Sequence, residues 1–134
     1  MPRESTPAFS PGFRLSALDV AVLVIGGATA AGLAVVEPWI GFVIAFVVAH
    51  FFLFCNVIRM ARPLELVWSV IFTLLAAGTI VAGTPGWLAT TGLMLAVTAV
   101  VIGLELRKPS YHGLGWRRIN PGLPEWWSAR HAVE

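Results

Sequence analysis

The chain has a single cysteine and few charged residues. Cys55 is the only cysteine in 134 residues, so an internal disulfide, a Cys-x-x-Cys redox pair and a cysteine-based zinc site are excluded. Charged residues make up 12% of the sequence and hydrophobic residues 57%. This composition is far too apolar for a soluble domain of this length and predicts a protein that lies in a lipid bilayer.

The sequence also lacks the motifs of a catalytic site. It contains no nucleophile-base-acid set, no phosphate-binding glycine loop and no metal-ligand spacing, which predicts that the protein is not an enzyme. The net charge is +2, and the basic residues lie in separate loops rather than in a cluster with stacking aromatic side chains. Nucleic acid is therefore not expected as a partner.

Four long apolar runs occupy most of the chain. Each has roughly the 20 residues that a helix needs to cross about 30 Å of hydrocarbon. They predict an all-α integral membrane protein in which residues 16–106 form a four-helix transmembrane bundle. An irregular segment, 1–15, precedes the bundle and an interfacial tail, 107–134, follows it. The predicted spans are residues 16–36, 39–58, 64–82 and 87–106.

The basic residues occupy alternate segments outside these runs. All nine lie before the first run, between the second and third, or after the fourth, at Arg3, Arg14, Arg59, Arg62, Arg107, Lys108, Arg117, Arg118 and Arg130. Basic residues near membrane spans are retained on the cytoplasmic side. The pattern therefore predicts an up-down-up-down bundle with both termini cytoplasmic, in a bacterial-type cytoplasmic (inner) membrane.

The first span is rich in small residues. Their small-x-x-x-small spacing lets another helix approach the backbone closely. We therefore expect this span to be the most protein-buried of the four. The predicted helix-packing residues are Gly26, Gly27, Ala30, Ala31 and Gly32.

His50 is the only histidine inside a span and lies near mid-bilayer, about 18 Å from one end of its helix and about 12 Å from the other. Phe46 and Phe54 lie one turn to either side of it. The leading interpretation is a neutral structural histidine that is hydrogen-bonded to Thr73 or Thr98. The alternatives are a ligand to a haem-type or chlorophyll-type tetrapyrrole, and a proton or ion relay.

Charged residues gather where the spans meet the cytoplasmic surface. Charges at headgroup level are common, so the pattern predicts an interfacial belt of ion pairs, with a transported-cation site as the alternative. Trp68 is expected at the same headgroup level, opposite Trp39 and Trp87 at the outer surface. The predicted belt consists of Asp19, Arg59, Arg62, Glu65, Glu105 and Arg107.

The tail after the fourth span combines aromatic and basic residues with prolines and glycines that argue against a long helix. Such a segment suits contact with lipid headgroups, and it suits equally a docking strip for a partner protein. The residues concerned are Trp116, Arg117, Arg118, Trp126 and Trp127.

These features together predict a non-catalytic accessory or scaffolding subunit of a larger membrane protein complex. Its expected partners are the lipid bilayer and other membrane subunits, and no cofactor is required. One alternative is a tetrapyrrole-binding or electron-transfer subunit that uses His50. The second is a small oligomeric ion or proton channel or transporter that uses His50 and the charged belt.

Overall fold

The computed structural model describes residues 8–132, and within them the chain is helical with no strand. Four stretches are long and apolar enough to cross a membrane, and their bounds lie within two residues of the predicted ones. The prediction of an all-α protein with four membrane-length helices is confirmed. The elements are α1 (Ala17–Val36), α2 (Pro38–Phe52) with a π-helical segment (Leu53–Ile58) that continues it, α3 (Arg62–Ala82), α4 (Trp87–Leu106), α5 (Trp116–Ile119) and α6 (Leu123–His131).

Local sequence explains where these helices begin and end. The Ser16 hydroxyl accepts a hydrogen bond from the Asp19 N–H at 3.2 Å, and the Asp19 carboxylate accepts one from the Ser16 N–H at 2.7 Å. This capping box satisfies two N–H groups at the start of α1. Pro38 starts α2, where its missing N–H is not needed. Gly83, with φ of 70°, ends α3 in the left-handed conformation that glycine adopts easily.

The four spans form two antiparallel hairpins. In the first, Gly26 of α1 faces the Val48 side chain of α2, and a Cβ added at Gly41 would lie 2.6 Å from the Ala30 carbonyl oxygen. In the second, the Thr79 and Thr90 hydroxyls are 3.1 Å apart in a buried hydrogen bond between α3 and α4. Each hairpin therefore has its own close contact, made by glycine in one and by paired threonines in the other.

The prediction that the first span is the most buried is wrong. Across an apolar 18-residue stretch of each helix, the share of buried residues is 6% in the first and third spans and 22% in the second and fourth. Gly26 and Ala30 pack against α2, whereas a Cβ at Gly27 or Gly32 would meet nothing within 4 Å, and Ala31 is exposed. The small residues cover more of the α1 surface than one neighbouring helix can contact.

The polypeptide after α4 folds back against the end of the bundle. The Leu114 N–H donates to the Val57 carbonyl at 2.7 Å, and the Gly12 N–H donates to the His112 carbonyl at 2.7 Å. Gly113 lies so close to the Ile58 carbonyl that a side chain would not fit. Two tail residues are almost fully buried, Tyr111 at 1% and Leu123 at 0% exposure. As predicted, residues 107–132 contain no long helix, since α6 has nine residues.

Candidate functional site

His50 bonds its own helix rather than a neighbouring one. Its Nδ1 lies 2.8 Å from the Phe46 carbonyl oxygen, and because a carbonyl can only accept, Nδ1 carries a proton. The predicted bond to Thr73 or Thr98 is wrong. Thr73 donates to the Ser69 carbonyl at 2.8 Å, and the Thr98 hydroxyl accepts from the Trp68 indole N–H at 2.9 Å.

The His50 ring lies inside an aromatic cluster that joins the two hairpins. Its centroid is 4.2 Å from that of Phe46, 5.7 Å from that of Phe54 and 4.8 Å from that of Trp68, with 22° between the Trp68 and His50 planes. Trp68 stacks in turn on Phe72, at 5.4 Å and 6°. Trp68 is only 4% exposed, so its indole packs inside the bundle and does not face lipid, and its predicted depth at the headgroup level stays a prediction. Its indole N–H donates to the Thr98 hydroxyl on the neighbouring helix.

This packing bears on the tetrapyrrole hypothesis. His50 is 7% exposed and is stacked against Phe46 and Trp68. A macrocycle bound through the imidazole needs a slot as wide as the ring system beside the remaining nitrogen, Nε2. Such a slot requires the aromatic neighbours of His50 to move. The packing gives the hypothesis no support, and it stays a prediction.

The predicted charged belt lies at one end of the bundle, where Arg59 and Arg62 connect the second and third spans, and we name this the basic end. Within residues 8–132, the one ion pair joins Glu105 to Lys108 at 2.8 Å. Asp19 is engaged in the α1 cap. The expected pairs between helices, with Arg107 among their members, do not occur in this part of the chain.

A cavity of about 470 Å³ with both charged and apolar lining residues opens at the basic end. It brings together four members of the predicted belt, namely Arg59, Arg62, Glu65 and Glu105, with Cys55 of the π-helical segment. Ser110 and His112 of the tail also contribute to its wall, and the apolar part of the wall consists of Phe51, Met60 and Ala61. Ser110 and His112 were not predicted as site residues, because only the docking of the tail brings them to the bundle.

Arg59 holds an unusual backbone conformation at the edge of this cavity. Its φ of 54° places it in the left-handed region that a non-glycine residue rarely occupies. One guanidinium nitrogen, Nη1, donates to the Ser10 carbonyl at 2.5 Å. Burial, and then the nearby charge of Arg14, lower the pKa of Arg59 below its ordinary value. The guanidinium is thus partly desolvated without a carboxylate partner among the described residues.

The other polar groups of the cavity are held in different ways. Glu105 is 2% exposed and its carboxylate is neutralised by Lys108. Glu65 accepts a weak hydrogen bond from the Cys55 thiol at 3.6 Å. The His112 Nδ1 lies 2.9 Å from the Ser110 carbonyl oxygen, which accepts a hydrogen bond from it. The cavity therefore offers cationic and anionic groups side by side.

The tail aromatics pack partly on the N-terminal segment. Phe9 makes an edge contact with Trp116 at 6.0 Å and lies 5.5 Å from Trp127. Two cation-π contacts lie on the tail surface, with Arg117 5.7 Å from the Trp116 ring and Arg130 5.3 Å from the Trp126 ring. Arg118 is exposed. The predicted contact of these residues with headgroups or a partner stays a prediction.

Comparison with known proteins finds no matching family model, curated protein or solved structure.

Proposed function

We propose that this protein is a non-catalytic accessory or scaffolding subunit of a larger membrane protein complex. The chain crosses a bacterial-type cytoplasmic (inner) membrane four times, in an up-down-up-down arrangement, with both termini in the cytoplasm. The observation that carries the proposal is an open groove of small residues along the first hairpin. The placement of the basic residues and the two antiparallel hairpins support this topology.

The groove lies between α1 and α2 and has a volume of about 450 Å³. Glycine and alanine dominate its wall, with one aromatic side chain, Phe42, at its edge. In lipid there is no hydrophobic drive for helices to associate, so small residues that let backbones approach closely are what favours a helix partner. The lining residues are Gly27, Ala30, Ala31, Ala34, Pro38, Gly41, Phe42 and Ala45.

The chain itself does not fill this groove. A Cβ placed on Gly27 meets nothing within 4 Å, and Ala31 beside it is exposed. Bulky exposed side chains such as Val35 and Val36 suit lipid contact, whereas a run of exposed glycine and alanine gives lipid tails little to pack against. The occupant that fits best is a transmembrane helix of another subunit.

The test is gentle extraction of the tagged full-length protein from its native membrane, followed by native mass measurement. We expect the wild-type chain to leave the membrane with a stoichiometric partner. Gly27→Leu fills the groove and is expected to release the chain without its partner. Gly92→Leu is the matched control, because Gly92 is exposed on α4 and also has open space around it.

Two results would contradict the proposal. One is a wild-type monomer that carries no partner under the mildest extraction. The other is a complex made only of copies of this chain, which would point to self-association rather than to an accessory role. Equal loss of the partner in Gly27→Leu and Gly92→Leu would show that the groove is not the contact surface.

A further inference from the structure

We propose that the cavity at the basic end binds the headgroup of a zwitterionic aminophospholipid, with Arg59 and Arg62 on its phosphodiester and Glu65 on its primary ammonium group. The proposal goes beyond the accessory role and does not depend on it. It rests on the depth of the cavity, on the charges that line it and on its size.

The cavity lies at the depth of lipid headgroups. Phe51 and Cys55 come from the last turns of the second span, Glu65 comes from the first turn of α3, and Glu105 comes from the last turn of α4. All of these helix ends meet the membrane surface at one level. Phe51 is 39% exposed beside the cavity, which leaves an apolar edge for the glycerol and the upper acyl chains.

The charged groups of the wall are available to a ligand. Within residues 8–132, neither Arg59 nor Arg62 has a carboxylate within 4.0 Å, and Glu65 has no cationic partner. Glu105 is already neutralised by Lys108 at 2.8 Å. Two guanidiniums and one carboxylate without a cationic partner thus face the same space, and guanidinium forks match phosphate oxygens geometrically.

The backbone of Arg59 is a second indication that its side chain is needed there. A left-handed residue that ends a helix is usually glycine, because any side chain raises the energy of that conformation. Arginine occupies this position in the chain although glycine would fit the backbone conformation better. Its bond to Ser10 uses one of five N–H donors, and four remain.

The size and mixed charge of the cavity favour a zwitterion over simpler anions. A volume of about 470 Å³ falls in the usual range of small-ligand sites, about 300–1,000 Å³. Inorganic phosphate would leave most of this space empty and the Glu65 carboxylate without a cation beside it. An anionic lipid without an ammonium group would place its headgroup beside the Glu65 carboxylate, where it gains nothing.

The phosphodiester and the ammonium also occur together in soluble glycerophosphoethanolamine, so the experiment has to separate the sources. The full-length protein is transferred into nanodiscs that contain phosphatidylethanolamine, phosphatidylcholine or phosphatidylglycerol. Bound lipid is then counted by native mass spectrometry. We expect retention of phosphatidylethanolamine, with no displacement by millimolar inorganic phosphate or by glycerophosphoethanolamine.

Variants assign the contacts. Arg62→Gln is expected to weaken phosphatidylethanolamine retention about tenfold, and Arg130→Gln, which removes the same charge from an exposed position outside the cavity, is expected to leave it unchanged. Glu65→Gln should abolish the preference for ethanolamine over choline, because a quaternary ammonium cannot donate hydrogen bonds. Arg59→Gly should lose the lipid without losing the fold, since glycine suits a φ of 54°.

Three results would overturn the proposal. Equal lipid loss in Arg62→Gln and Arg130→Gln would show that the effect comes from overall charge and not from the cavity. Tighter retention of phosphatidylglycerol than of phosphatidylethanolamine would show that the ammonium is not recognised. Displacement by inorganic phosphate or by glycerophosphoethanolamine would identify a soluble ligand in place of a lipid.

Discussion

Replacing Trp68 with alanine tests the aromatic cluster that joins the two hairpins. Trp68 is 4% exposed and packs on His50, Phe46, Phe54 and Phe72, with ring centroids 4.8 to 6.2 Å away. Each aromatic pair contributes at least about 0.5 kcal/mol beyond area burial. The Thr98 hydrogen bond adds about 0.6 kcal/mol. We therefore expect Trp68→Ala to lower the free energy of unfolding by roughly 2.5–3 kcal/mol, near the lower end of Trp→Ala values in soluble cores.

The measurement is reversible unfolding in mixed micelles with increasing sodium dodecyl sulfate, followed by circular dichroism. Trp68→Phe keeps a stacked ring and loses the bond to Thr98, so we expect a smaller decrease of about 0.6–1 kcal/mol. Trp39→Ala is the matched control, because Trp39 is 45% exposed. If Trp68→Ala destabilises the protein no more than Trp39→Ala does, the aromatic cluster does not hold the hairpins together.

Three further predictions concern packing, charge and pH. Gly41→Ala should lower the free energy of unfolding by about 1–3 kcal/mol, because its Cβ overlaps Ala30 and Ala34, whereas Gly27→Ala should not be destabilising; equal effects would contradict the α1–α2 contact. Lys108→Met should lower the free energy of unfolding by about 1–3 kcal/mol, because it leaves the buried Glu105 carboxylate unpaired. Lys108→Arg keeps a cation at this position and should cause a much smaller decrease in the same unfolding assay. Burial, and then the nearby charge of Glu105, raise the pKa of Tyr111 above 10.0. The neutral Tyr111 side chain should therefore contribute fully to stability below pH 10.0, and this contribution should be lost as the pH rises through the raised pKa. Tyr111 is the one tyrosine of the chain, so ultraviolet titration reports it directly, and titration at the ordinary value would refute this placement.

The spans were predictable from sequence for a simple physical reason. Every backbone N–H and C=O in the hydrocarbon must bond inside its own helix, so a long apolar run has one stable conformation. Proline and glycine then mark the ends, as Pro38 and Gly83 do. The predicted bounds therefore lie within two residues of the observed ones, although nothing in the sequence indicated the π-helical segment Leu53–Ile58.

The faces that pack together were harder to predict, because in lipid both the buried and the exposed sides of a helix are apolar. Small residues indicated that α1 approaches another helix, and Gly26 and Ala30 do so. They could not indicate that Gly41 of α2 makes the closest contact. Trp68 shows the same limit, since a tryptophan one turn inside a span fits a headgroup belt and a core equally well by sequence.

Only part of the cavity wall could be predicted from the sequence. Arg59, Arg62, Glu65 and Glu105 lie at helix ends whose common level follows from the span bounds. The remaining wall depends on long-range backbone contacts, such as that between Leu114 and Val57. Such contacts have no periodic signature, so a tail rich in proline and glycine gave no indication of where it docks.

The placement of polar groups favours a protein that acts by binding at its surfaces. Inside the bundle, His50 bonds a backbone carbonyl, Trp68 bonds Thr98, and Thr79 bonds Thr90. The charges available to a ligand lie at the basic end, whereas the small-residue groove extends to Pro38 at the opposite end of α2. Effects at sites so far apart are normally independent. Gly27→Leu should therefore release a protein partner and keep the lipid, and Arg62→Gln should do the reverse.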